Sequence, residues 1–326
     1  MRFLTKTNIP FIRMRKIAYT ISIIVILASL IGLFVRGLNW SIEFSSGVAA
    51  KVNLKAASAS VEPVQIDDLR NVLKINGYPE AEIQHVGSVE DATFMIKIKS
   101  RQSEDGAATD TKTEIIDLIN ENFPEHVVGR DLNRDVIAEI YEVGPKVGGE
   151  LRTNALMAIG ISLIFMIIFI WFRFELIFGI MAIVALAHDV LIVIGVFALT
   201  GKEISVQIIA ALLTIVGYSI NDTIVIFDRV REDLKIRRKD PLEVIINDAI
   251  NETLSRTIIT ALTTFIATLS LYLFGGQVLH DFALAMCIGV VVGTYSTIFV
   301  ASSLIVDFTK LAHKEKKAAQ KLSKRK

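Results

Sequence analysis

Long apolar runs alternate with short polar breaks along this chain. Six of them, at residues 17–35, 154–172, 176–199, 204–227, 257–274 and 282–308, come close to or exceed the roughly 20 residues that a helix needs to cross a hydrocarbon core. They predict six membrane-spanning helices. Between the first two runs, over residues 36–151, the periodicity changes to that of a foldable polar segment. "VQIDDLRNVLKINGY" puts Ile66, Leu69 and Leu73 at helical spacing, with Asp67 early and Gly77 as a stop signal, and "TKTEIIDLINENF" reads as a second amphipathic helix. "WSIEFSSGVAAKVNL", "AEIQHVGSV", "ATFMIKIKS" and "DVIAEIYEVG" have strand character, and "SEDGAATD" reads as a loop. The order β-α-β-β-α-β is that of a ferredoxin-like domain, with another small α+β fold as the alternative. The predicted fold is an all-α six-helix transmembrane bundle carrying one inserted α+β domain.

A further stripe lies between the fourth and fifth runs. In "PLEVIINDAINETLSR", Leu242, Ile245, Ile246, Ala249 and Ile250 share one helical face. The expectation is an interfacial helix on the inner membrane face, within a cytoplasmic loop at about 228–255. A helix packed on its own loop is the alternative.

Composition agrees with the pattern: 52% of the residues are hydrophobic and the mean hydropathy is +0.52, well beyond a typical soluble domain. The formal charge of +1 hides a strong asymmetry. The leader (residues 1–16, with Arg2, Lys6, Arg13, Arg15 and Lys16), Arg173, the cluster from Arg229 to Lys239 and the tail at 309–326 all fall on one side. The opposite side has only Lys202 between spans three and four. The positive-inside rule therefore makes both termini cytoplasmic and the inserted domain external. The first run is long and closes without a small-x-small site, so it reads as an uncleaved span. The tail "HKEKKAAQKLSKRK" reads as a lipid-facing anchor, and no nucleic acid is expected.

The candidate chemistry lies where the apolar pattern breaks. In "LLTIVGYSINDTIVIFDRVRE", Asn221 and Asp222 interrupt span four, about 8 Å inside the end of the run at 1.5 Å per residue. A carboxylate at such a position costs roughly 2.5–3.5 kcal/mol, so it needs a reason to be there. Arg256 opens span five, and Thr257, Thr260, Thr264 and Thr268 share one of its faces. Together with Asn221, Thr223 and Ser219 they could line a proton or ion path, with Asp222 as the proton-binding group and Arg256 as its movable partner. Helix-to-helix glue is the bland alternative. His188 and Asp189, in span three, form a second polar site that reads equally well as a mutual brace. Gly289 and Gly293 read as helix packing alone.

These stretches resemble the SecF branch of the SecD/SecF family, within the resistance-nodulation-division superfamily. The span-four stretch carries the likeness, supported by "VGPKVGGEL" (Gly144, Pro145 and Gly148) at the start of span two, "RFE" at 173–175, "ALAHDV" at 185–190 and "TLSRTIITALTT" at 253–264. One departure follows span one: "WSIEFSSGV" (Glu43, Phe44, Gly47) stands where the family has a Gly-x-Asp-Phe-x-Gly-Gly motif. The resemblance implies half of a twelve-span unit shared with the sister subunit SecD. Such a unit, in the bacterial cytoplasmic (inner) membrane, would use the proton-motive force to help polypeptides finish passage through the SecYEG channel. A YajC-type accessory subunit is a further implied partner, and the inserted domain would be periplasmic. Asp222 and Arg256 match the family's proton-path positions.

Other classes fit less well. The chain is short for a fused small-molecule exporter. Asp189 and Asp222 differ in expected depth and lack a Gly-x-Gly-Asp context, which argues against an aspartyl protease dyad. No G-x-x-x-x-G-K-[ST] sequence supports nucleotide use. The single cysteine, Cys287, precludes an intrachain disulfide, and no zinc-ligand spacing occurs. Neither an enzymatic activity nor a metal or other cofactor is expected.

Overall fold

The computed structural model describes residues 7–55, 61–87, 91–99, 111–173 and 176–311. The start of the basic leader, most of the tail, the "SEDGAATD" loop and Glu175 lie outside the described residues. Helix α1 (Arg15–Arg36) leads through strand β1 (Asn39–Trp40) and the single-turn α2 (Ile42–Ser45) into an α/β domain. That domain comprises β2 (Gly47–Asn53), α3 (Ile66–Ile75), β3 (Glu82–His85), β4 (Thr93–Lys99), α4 (Thr111–Asn122), the short α5 (Pro124–Val127) and β5 (Ile137–Val143). The chain then runs through α6 (Pro145–Arg173), α7 (Leu176–Thr200), β6 (Glu203–Ile204), α8 (Val206–Ile236), α9 (Leu242–Phe274) and α10 (Gln277–Tyr295). A π-helical segment, Ser296–Ala301, continues α10, and among the described residues six helices are long and apolar enough to cross a membrane.

The α/β domain is one antiparallel sheet in the order β3-β4-β2-β5 with α3 and α4 packed on it. Strand alternation sends Val48, Ala50 and Val52 of β2 and Phe94, Ile96 and Ile98 of β4 inward, where they meet Leu69, Leu73, Ile115 and Ile119 of the helices. Helix α3 starts as its sequence dictates: Gln65 and Asp68 form a capping box, and Gly77, at φ 89°, turns the chain just after it. The stretch "WSIEFSSGV" is only partly the expected strand. Its first half folds into β1 and α2, because α2 must pack on the first turns of α6.

In the bundle, α7, α8 and α10 are the most enclosed helices, whereas α6 and α9 keep most of their surface open. Close approach of α10 to α8 depends on Gly289, where a Cβ would lie 2.4 Å from Ile215. That is the packing role its spacing suggested.

Two expectations are corrected here. The segment at about 228–255 is no loop with a separate interfacial helix. Helix α8 runs on to Ile236, and the apolar stripe is the first half of α9, continuous with span five. Ile245, Ile246, Ala249 and Ile250 are buried, and Ile246, Ala249 and Ile250 pack with Phe227 and Val230 of α8 and with Phe11 and Ile12. The stripe thus faces protein, because the extended α8 and the chain before α1 supply the apolar partner that a short loop could not. Asn251 and Asn247 fix that contact, accepting the backbone N–H groups of Ile9 (2.9 Å) and Ile12 (3.3 Å).

Candidate functional site

Besides Asp233 near the end of α8, the described helices bury the carboxylates of Asp189 and Asp222, and the surroundings of these two differ. Asp222 lies midway along α8, 1% exposed. Its Oδ1 accepts one hydrogen bond, from Thr260 Oγ1 of α9 at 3.4 Å, and its Oδ2 has no partner among the described residues. Thr260 also donates to the carbonyls of Arg256 and Thr257, both at 3.0 Å, so its hold on the carboxylate is shared. Arg256, a turn before Thr260, is exposed and makes no ion pair with Asp222 within 4 Å; its charge acts across the gap. The expected close Asp222–Arg256 pair is therefore open in this structure, because the guanidinium points out of the bundle.

The remaining residues of the expected path divide. Thr264 is half-buried and lies on the same α9 face as Thr260. Asn221 is exposed, on a different face of α8 from Asp222, since adjacent helical positions diverge by about 100°. It does not join the cluster. Tyr218 does, and the residue-type reading missed it. It precedes Asp222 by one turn, and its hydroxyl is enclosed near Asp222, Thr260, Thr264 and Thr294 without a hydrogen-bond partner at full geometry. The i, i+4 spacing to Asp222 was the signal that could have found it. The Thr257 hydroxyl is likewise buried and unpartnered. Asp222, Tyr218 and Thr257 thus each keep a buried polar atom on α8 or α9 with hydrogen-bonding capacity to spare, a condition for water and protons to pass between such groups.

Asp189, fully buried on α7, has both of its oxygens partnered. Oδ1 meets His188 Nδ1 at 2.9 Å, and Oδ2 accepts from Ser219 Oγ of α8 at 2.6 Å and from Ser296 Oγ of the π-helical segment at 2.8 Å. His188 Nε2 lies 3.1 Å from Ser22 Oγ of α1, which in turn is 3.2 Å from Tyr295 OH, and Tyr295 donates to the Ala18 carbonyl at 2.7 Å. A second cross-link, Thr223 Oγ1 to Thr297 Oγ1 at 2.9 Å, ties α8 to the π segment beside it. Such π turns often mark functional positions in helices. This network joins four spans around one carboxylate, and no oxygen of Asp189 is shared with Asp222.

The two motifs set apart in the sequence, Glu43-Phe44…Gly47 and Gly144-Pro145…Gly148, meet in space. A Cβ on Gly148 would lie 3.2 Å from the Ser46 nitrogen and 3.3 Å from the Phe44 carbonyl carbon, so α6 seats directly on α2. Gly47 faces the Ile98 carbonyl oxygen, which a Cβ would approach to 2.3 Å. Helix α6 starts at Pro145, and Gly144 supplies its first acceptor, taking the Gly148 N–H at 3.0 Å. Glu43 accepts from the Ser41 hydroxyl and lines a cavity under the α/β domain.

Comparison with known proteins matches this architecture. The family model described as protein export membrane protein SecD/SecF, C-terminal, covers residues 127–311. The chain is 42% identical over 301 residues to the protein translocase subunit SecF of Desulfurispirillum indicum, spanning 91% of each chain. It is 38% identical over 311 residues to that of Thermodesulfovibrio yellowstonii, spanning 94% of this chain and 96% of the relative. The protein translocase subunit SecDF of Thermus thermophilus is 42% identical over 296 residues, which cover 89% of this chain and 36% of that longer one. The crystal structure of SecDF from that organism, described as a translocon-associated membrane protein, superposes with a TM-score of 0.76 at 37% identity, over 94% of this chain and 40% of its own length. Six helices long and apolar enough to cross a membrane, and similarity over more than nine-tenths of the length of subunits of one name, lead to a single conclusion: the chain belongs to the SecF family of protein translocase subunits.

Proposed function

We propose that this chain pairs with SecD in the bacterial cytoplasmic membrane and uses the proton-motive force to help polypeptides complete passage through SecYEG, with Asp222 as the proton-carrying carboxylate. The observation that carries the reading is the half-satisfied state of Asp222: enclosed, weakly held by Thr260, and with one oxygen unpartnered. Arg256 and Asn221 lie on exposed faces beside it, where a second subunit would cover them. The fused SecDF relative supports SecD as that subunit.

In this reading both termini are cytoplasmic and the domain at 36–151 is a periplasmic ferredoxin-like domain, a topology that its sheet order β3-β4-β2-β5 supports. SecYEG, and a YajC-type accessory subunit, are the partners that family membership suggests. The chain acts as a transport component rather than an enzyme.

A proton arriving along Tyr218, Thr264 and Thr260 neutralises Asp222, which removes its attraction for Arg256 and lets α8 and α9 repack. Each charge crossing the membrane carries about 2.3 kcal/mol per 100 mV, enough to shift a two-state equilibrium by well over tenfold. The test is export of a secreted precursor into membrane vesicles with and without an imposed proton gradient, comparing the parent with Asp222→Asn after insertion and pairing with SecD are verified. Loss of the gradient-dependent part is the expected result. A full response to the gradient in the variant overturns the assignment and moves the proton site to Asp189 or to SecD.

A further inference from the structure

Beyond the membrane spans, the α/β domain meets the start of α8 and of α10 around a cavity of about 110 Å³. Lys97 of β4 stands there between two carboxylates from different parts of the molecule. Its Nζ is 3.4 Å from Glu82 Oε2 on β3, within the domain, and 3.4 Å from Glu203 Oε2 on β6, which belongs to the bundle. The three side chains are 17%, 26% and 12% exposed, so water screens them poorly. Glu82 Oε1 also accepts from Gln84 Nε2 at 2.5 Å. One ammonium group cannot neutralise two carboxylates, and a third, Glu43 on α2, also acts on Lys97.

The other charged groups around Glu203 do not supply the missing cation. Lys99, whose charge reaches Glu203, is bonded to Asn39 Oδ1 at 2.6 Å. Lys202 is paired with Asp281 of α10 at 2.5 Å, and His280 stands 3.4 Å from the same carboxylate oxygen. Tyr141 of β5 lines the cavity as a neutral phenol, its hydroxyl pKa raised by burial and by Glu43.

We propose that Glu82, Lys97 and Glu203 form a proton-dependent latch that fastens the α/β domain to the membrane bundle beside the β1–β6 ladder. Two carboxylates held together in a desolvated site tend to share a proton, because ionising both at once is costly. Burial, and then the neighbouring Glu82 carboxyl, push Glu203 up to about 8. Burial would raise Glu82 too, but the Glu203 hydrogen bond and the Lys97 charge hold it below its ordinary value. Burial would lower Lys97, and its three carboxylate neighbours outweigh that, keeping it charged.

The sign follows from linkage. Glu203 binds its proton more tightly when the latch is closed, so its contribution is complete below its ordinary value of 4.5 and is lost as pH rises to about 8. Glu82 contributes in the opposite sense only as pH falls through its ordinary value. Over the range between, closing takes up about one proton and weakens by up to about tenfold per pH unit. An acidic exterior would therefore hold the domain docked, and a collapsed gradient would free it. That consequence rests on the periplasmic placement proposed above, whereas the latch itself does not.

The test is hydrogen exchange on the full chain in lipid nanodiscs from pH 5.5 to 9, with rates corrected for intrinsic exchange. The reporters are residues 39–41 and 203–205, where β1 pairs with β6 and the Ser41 N–H donates to the Ile204 carbonyl at 3.1 Å. In the parent, protection falls by about a hundredfold between pH 5.5 and 8 and is level above that. In Glu203→Gln, a neutral side chain replaces the protonated acid, so protection stays high and flat. In Lys97→Met it is low throughout. Exchange of the β2–β4 amides in the same samples reports whether the domain is folded; should Lys97→Met unfold it, Glu203→Gln decides alone. A flat profile in the parent, or a slope in Glu203→Gln equal to the parent's, overturns the latch. Neither result bears on the side of the membrane, which export assays and labelling address separately.

Discussion

Asp189 and Asp222 are both carboxylates buried in adjacent helices of one bundle, and almost everything else about them differs. Asp189 is hydrogen-bonded to His188 at 2.9 Å, accepts from Ser219 and Ser296 at 2.6 and 2.8 Å, and through His188 reaches Ser22 on α1. Asp222 receives one hydrogen bond, at 3.4 Å, from a threonine that divides its proton among three acceptors. A carboxylate with both oxygens held by fixed partners is an organising centre, since any change in its charge disturbs several contacts at once. One with idle capacity can change its proton at little structural cost. One acid thus cross-links four spans, and its neighbour is the one to which the proposed function gives the proton.

The sharpest way to break this contrast is to remove the organising acid. Asp189→Ala strands His188, Ser219 and Ser296 in the bundle and is expected to destabilise it by about 3–5 kcal/mol. Thermal unfolding of the purified protein in detergent checks this, and Asp189→Asn should cost less, about 1–3 kcal/mol. Asp222→Asn, by contrast, should change stability by less than about 1 kcal/mol in the same assay while the gradient-driven part of export is lost. Equal destabilisation by Asp189→Asn and Asp222→Asn would erase the distinction.

A finer probe is Tyr218→Phe, which deletes one hydroxyl from the Asp222 seam and touches none of the Asp189 network. Gradient-driven export should fall by about fivefold as one group of the proposed path is lost, with unfolding unchanged because the hydroxyl has no partner among the described residues to lose. The smallest effect is expected for Asn221→Ala. Its exposed side chain lies off the seam, so stability of the isolated subunit should move by no more than about 0.5 kcal/mol. A large export defect with normal stability would instead place Asn221 at the contact with SecD.

Much of this was legible before any coordinates. Six apolar runs and the order of the polar elements between them predicted six long helices and an α/β insertion, because hydrophobic length and periodicity are local properties. Asp222 announced itself as a carboxylate where lipid-compatible residues should be. Less legible was the stripe at Leu242–Ile250. Periodicity fixed its helical form and its apolar face, yet the same pattern suits a membrane surface or a protein core. The extended α8 and the segment around Phe11 decided for the core.

The chain itself determined which segments are helices or strands, where glycines allow close approach, and which residue types could carry charge inside a membrane. Only the tertiary structure decided what each polar group meets. It turned Asn221 and Arg256 outward, brought Tyr218 and Thr260 to Asp222, and gathered Ser22, Ser219 and Ser296 around a His188–Asp189 pair. It also set Lys97 between Glu82 and Glu203, residues more than a hundred positions apart. The reason is physical. Hydrophobic periodicity acts over a few residues along the chain, whereas the charge state of a buried group depends on atoms within a few ångströms in space, and those are chosen only when the helices pack.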